Sequence, residues 1–170
     1  MKFKIDQAEL KASKIPHEIF LTNLIVNHIL FFIAALGVAK SIPQLVALTP
    51  IISIATLSYI LLHGKRIQKH AAWFVRCHWQ IAINRSRIIL FMLSALTALL
   101  SVIYAIHLYG DVPFAQVFPF AAIVTLPVMI TILALILMES EALHFANSGQ
   151  LSKGMVNKFP PPDSIIEIED

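Results

Sequence analysis

The sequence predicts an all-α integral membrane protein, with four transmembrane helices arranged as two antiparallel hairpins joined by a basic amphipathic cytoplasmic segment. Three observations predict it. Four apolar runs, at residues 19–39, 44–62, 88–108 and 116–138, each approach the ~20 residues that a helix needs to cross a bilayer core. The chain is 58% hydrophobic and only 14% charged over 170 residues, which leaves little material for a separate soluble domain. The basic residues, finally, collect on one side of the runs.

Residues 1–18 read as a cytoplasmic arm of mixed charge, either a short surface helix or a loose strand of chain. Pro16 fits the start of the first span, where its missing N–H costs least. That span is too long for a signal-peptide core of roughly 7–15 residues. The triplet Gly37-Val38-Ala39 only weakly resembles a cleavage site, so the expectation is an uncleaved helix. Gly37 and Pro43 punctuate its end. Pro50 falls in the second span and Pro119 and Pro127 in the fourth, where a membrane helix tolerates proline because neighbours satisfy the freed carbonyls. Gly110 and Pro113 form the second outer turn.

Orientation follows from charge. Lys65, Arg66, Lys69, Arg76, Arg85 and Arg87 crowd the segment 64–87, which holds no acid. Lys2, Lys4, Lys11 and Lys14 precede the spans, and Lys153 and Lys158 follow them. That places 12 of the 13 Lys and Arg residues on one side, opposite only Lys40. The positive-inside rule then puts both termini and the middle segment in the cytoplasm. The chain divides into the arm 1–18, a four-helix membrane domain 19–139 and a cytoplasmic tail 140–170. A bacterial inner membrane is the expected location, on the compactness of the chain and its short loops.

If continuous, the segment 64–87 is an amphipathic helix. Lys65, Lys69, Arg76, Gln80, Asn84 and Arg87 share one face, while Ile67, Phe74, Ile81 and Ile88 repeat every seven residues on another, flanked by Trp73. Basic residues opposite Trp, Phe and Ile suit an interfacial helix on anionic lipid. Lys65, Arg66, Lys69, Trp73, Arg76, Arg85 and Arg87 are therefore the candidate lipid- or partner-binding residues. The simpler expectation is a topology signal with aromatic anchoring. Asn84-Arg85-Ser86 matches a glycosylation sequon that should be silent in the cytoplasm.

Polar residues also lie at membrane depth. Asn23, Asn27 and His28 interrupt the first run and are the intramembrane polar candidates, since such residues default to a functional hypothesis. Thr49, Ser53 and Thr56 in the second span, and Ser94, Thr97, Ser101 and Tyr104 in the third, form stripes of the kind used for helix–helix contact in lipid. Beyond Ser140 the tail loses periodicity, passes through Pro160-Pro161-Pro162 and ends apolar and acidic. It is expected to be disordered, with docking on a partner by strand addition as the other reading.

Complete chemical motifs are missing. Cys77 is the lone cysteine, which excludes an internal disulfide and a Cys-x-x-Cys redox pair. Two haem-ligating histidines must share a depth, and His28, His63 and His107 do not. His63, His70 and Cys77 recur every seven residues, ~10 Å apart on a helix and too far to share one ion. The spans contain no acid for proton-coupled transport, with Glu139 only at the cytoplasmic end of the fourth. No Ser–His–acid set, zinc-protease motif or phosphate loop is present. No metal, cofactor or nucleic-acid partner is expected. The leading expectation is a non-enzymatic accessory, assembly or scaffold subunit of a membrane complex, whose partners are anionic lipids and other membrane subunits or further copies of itself. A small b-type haem electron carrier and a self-associating channel or transporter are the other two readings.

Overall fold

The computed structural model describes residues 1–38, 40–42 and 44–168. Ala39 of the cleavage-like triplet, Pro43 of the first outer turn and the last two residues of the acidic terminus lie outside the described residues.

The order of elements is β1 (Lys2–Phe3), α1 (Gln7–Thr22), a π-helical segment (Asn23–Phe31), α2 (Phe32–Val38), α3 (Gln44–His70), α4 (Trp73–Tyr109), α5 (Phe114–Ser148), α6 (Lys153–Lys158) and β2 (Glu167–Ile168). α1, the π segment and α2 run on as one helix, giving four helices long and apolar enough to cross a membrane. Consecutive helices pack on each other, and α1 also packs on α4 and α5, which closes a four-helix bundle.

The helices overrun the apolar runs at the end that carries both termini, called the basic end below. α1 starts at Gln7, whose N–H donates to the carboxylate of Asp6 at 2.8 Å. The first 18 residues are therefore mostly helix, and Pro16 sits buried well inside α1 instead of at its start. α5 likewise continues past Glu139 to Ser148.

The segment 64–87 is not one amphipathic helix. α3 ends at His70, α4 begins at Trp73, and the chain reverses over Ala71 and Ala72. Close contact between the two helices explains the reversal. A Cβ on Gly64 would lie 2.7 Å from Ile83 Cδ1 and 3.2 Å from the Trp79 ring, so glycine favours the close approach of α3 to α4 at that level. The His63 ring packs 5.2 Å from Trp79, and Gln68 Nε2 donates to the Arg76 carbonyl at 2.8 Å across the corner. The seven-residue apolar repeat is split as a result. Phe74 is fully buried in protein, whereas Ile88 faces outward.

The tail folds back on the molecule. Gly149, at φ +71°, caps α5 in the left-handed region, and a Cβ there would also press 2.9 Å against the Phe3 carbonyl oxygen. Leu151 N–H donates to the Met1 carbonyl at 3.0 Å, and β2 pairs antiparallel with β1. Trp73 Nε1–H donates to the Phe159 carbonyl at 2.9 Å. The expected disorder is thus replaced by order, and the strand addition occurs on the chain's own N-terminus. Phe3, Trp73, Phe74, Leu151, Met155 and Val156 form a small apolar core at the basic end. A second core, built around Phe20, Leu24, Leu57, Ile60, Trp79 and Ile132, runs along the bundle.

Candidate functional site

The candidate basic residues divide in two. Lys65, Arg66, Lys69, Arg76 and Arg87 are exposed, and none forms an ion pair among the described residues. Arg76 and Lys158 flank a groove of about 230 Å³ between the α3–α4 corner and the tail. Trp73 and Arg85 turn inward. Trp73 is buried edge-on against Phe3 under the tail. Arg85 donates from one guanidinium nitrogen to the Glu139 carboxylate and the Met138 carbonyl, each at 3.0 Å.

That guanidinium belongs to a buried cluster drawn from three helices. Glu139 of α5 is fully buried, with Arg85 of α4 on Oε1 and His17 of α1 on Oε2 at 2.6 Å. A carboxylate only accepts, so His17 Nδ1 carries the proton. His17 Nε2 lies 2.9 Å from Nδ1 of His78. The arrangement is a Glu–His–His relay in which a proton on either imidazole can be held in place by the carboxylate behind it. Glu139 thus sits between two cationic or potentially cationic partners, which is what allows an acid to be buried here at all.

His78 is held neutral. Burial pushes its pKa down to about 3, the positive charge of His17 adds to this, the Gln150 backbone pulls the other way, and Arg85 lowers it further. A histidine whose folded value lies below its ordinary 6.5 stabilises the fold fully above that value, and this contribution is lost as pH falls from 6.5 towards 3. The basic end should therefore loosen on acidification. His78→Gln, which can still hydrogen-bond to His17, should flatten the acid side of the curve of unfolding temperature against pH. An unchanged curve would remove His78 as the cause. Burial likewise pushes the Cys77 thiol up to about 11, against the opposing charge of Arg76, so it is a packed thiol and not a reactive one.

The intramembrane candidates come together in a second cluster. Hydrogen bonds closed from i to i+5 widen the helical turn, so Asn23, Asn27 and His28 all lie on the side facing α3. Regular α-helical spacing would align only Asn23 with Asn27. Asn27 Nδ2 donates to Asn23 Oδ1 at 3.1 Å and to the Thr49 carbonyl at 2.9 Å. Asn23 Nδ2 donates to Ser53 Oγ at 3.1 Å, and Ser53 Oγ lies 2.9 Å from His28 Nε2. Thr49 and Ser53 of the second stripe thus serve helix contact. The third stripe does not: Ser94, Thr97 and Ser101 donate to the carbonyls of Leu90, Leu93 and Thr97 in their own helix.

The remaining histidines are spread out. His63 stacks on Tyr59 with ring centroids 5.1 Å apart, and His107 Nδ1 donates to the Val112 carbonyl at 2.8 Å. Among the described residues no group of three or more His, Cys, Asp or Glu side chains is placed to hold a metal ion. His17, His78 and Glu139 are the members of the buried cluster that sequence reasoning missed. One signal was available: an acid directly abutting an apolar run needs a cationic partner.

Comparison with protein-family models, with curated proteins and with solved structures finds no match for this chain. Its functional reading rests on the geometry above.

Proposed function

We propose that the chain is a polytopic membrane protein with both termini in the cytoplasm, acting as a non-enzymatic accessory or assembly subunit that docks an acidic segment of another membrane subunit. One observation supports this reading above the others. Lys65, Arg66, Lys69, Arg76 and Lys158 stand exposed and without an acidic partner among the described residues, around the α3–α4 corner and its groove. The basic end is tied together by the Glu139 cluster and by the folded tail, which place these charges on one surface. Complementary charge of this kind steers association and sets partner choice.

The other readings have less behind them. Of the polar side chains that would line a pore, Asn23 and His28 each bond to Ser53 of the neighbouring helix and Asn27 bonds to Asn23. His17 and His78 are in direct hydrogen-bond contact, which leaves no room for a haem iron between them.

The test is a triple charge reversal, Arg66→Glu, Lys69→Glu and Arg76→Glu. Tagged protein would be recovered from native membranes in mild detergent and its partners identified by mass spectrometry. A stoichiometric partner should be lost from the variant while its unfolding temperature stays unchanged, because these side chains touch no core. Retention of the partner would count against the proposal. Loss of bound anionic lipid alone would shift the surface from protein to membrane recognition.

A further inference from the structure

A cavity of about 470 Å³ opens between all four long helices, next to the π segment. Its wall is apolar over most of its extent, with Phe32, Leu96, Leu100, Val128 and Ile132 among the lining side chains. No Lys, Arg, Asp or Glu lines it among the described residues. Two lining residues, His28 and Thr49, bring polar groups with no partner among the described residues.

The hydrogen-bond pattern defines both groups. Ser53 Oγ accepts from Asn23, and among the described residues the one acceptor offered to its own hydrogen is His28 Nε2. Nε2 of His28 therefore accepts, and its ring proton resides on Nδ1. His28 is 5% exposed, and its Nδ1 has no hydrogen-bond partner among the described residues. The hydroxyl of Thr49 is buried and also unpartnered. A buried hydroxyl or ring N–H without an acceptor is costly, and a ligand oxygen would remove that cost. The Asn27–Thr49 hydrogen bond ties Thr49 to the helical segment that carries His28. The wall of an apolar cavity thus includes two residues with an unsatisfied neutral donor, His28 and Thr49, on adjoining helices.

We infer that this cavity binds a lipid-soluble quinone, with one ring carbonyl accepting from His28 Nδ1–H and the Thr49 hydroxyl, and with the ring and its alkyl tail in the apolar remainder. The donors select a neutral acceptor. A fatty acid would bring a carboxylate with no cation on the cavity wall to receive it, and a phospholipid would bring a charged head group. The cavity volume lies in the range of small-molecule sites, about 300–1,000 Å³, where apolar walls and a few placed polar groups are the rule. The inference is independent of partner docking at the basic end.

The test uses the full-length protein in detergent, titrated with decyl-benzoquinone and, as a control of similar shape without oxygen, decylbenzene. Saturable binding of the quinone at one site per chain is expected, with decylbenzene at least about tenfold weaker, the equivalent of one hydrogen bond. Thr49→Val and His28→Phe should each weaken the quinone about five- to tenfold and leave decylbenzene unaffected. Thr49→Val keeps the shape of a side chain whose hydroxyl has no protein partner, so its fold is preserved even if His28→Phe disturbs the bundle. Equal binding of the two probes, indifference to Thr49→Val, or absence of saturable quinone binding would each overturn the inference.

Discussion

Glu139→Ala is expected to destabilise the protein by about 3–5 kcal/mol, the largest effect of any single polar substitution here. The carboxylate is fully buried, while Arg85 is only 15% exposed at its side chain, so removing the acid strands a guanidinium that water reaches poorly. His17 loses its acceptor in the same step, and its own link to His78 loses orientation. The unfolding temperature in detergent would fall, and protease sites in the tail would open, because α5 carries Glu139 directly into Gly149 and the strand pairing beyond. The double variant Arg85→Ala, Glu139→Ala should be less damaged than the sum of the two single variants, since neither charge is then left alone. A loss under about 1 kcal/mol for Glu139→Ala would mean that water penetrates the cluster and that it is not a closed ionic site.

Phe74→Ala is the second large effect, about 3–5 kcal/mol from the lost burial and the cavity left behind. Phe74 has no exposed surface and packs 4.7 Å from the His78 ring and 6.4 Å from Trp73. It therefore joins the relay to the small apolar core beneath the tail. The same substitution at Ile88, outward-facing on α4, should cost little in detergent, where its surroundings are already hydrocarbon. If the sequence-derived picture of an interfacial helix held instead, Phe74 and Ile88 would lie on one lipid-facing seam and behave alike. Unfolding measurements on the two variants separate these cases directly.

The comparison of Phe74 with Ile88 also shows where the sequence stopped being informative. A seven-residue apolar repeat is a face only if the helix is continuous. Ala71 and Ala72 are good helix formers and carry no signal of a reversal. The reason for the turn lies elsewhere, in the close approach at Gly64 and in the tail that covers Trp73. The π segment is equally hidden, because nothing in Asn23–Phe31 announces looser winding. Its consequence, His28 on the same side as Asn23 and Asn27, appears only when Ser53 is brought opposite.

What the sequence determined by itself was the number of long apolar helices, their approximate positions and the gathering of positive charge at one end. Those properties come from runs of about 20 residues and from composition, which neighbours in space do not alter. Tertiary structure alone decided which polar residues meet. His17, His78, Arg85 and Glu139 are separated by up to 122 residues along the chain, yet they form one cluster because α1, α4 and α5 overrun the apolar runs side by side. The tail's fold was decided in the same way. A strand of two residues has no local signal, and it forms because Lys2 and Phe3 offer a free edge once Gly149 has turned the chain back over α1.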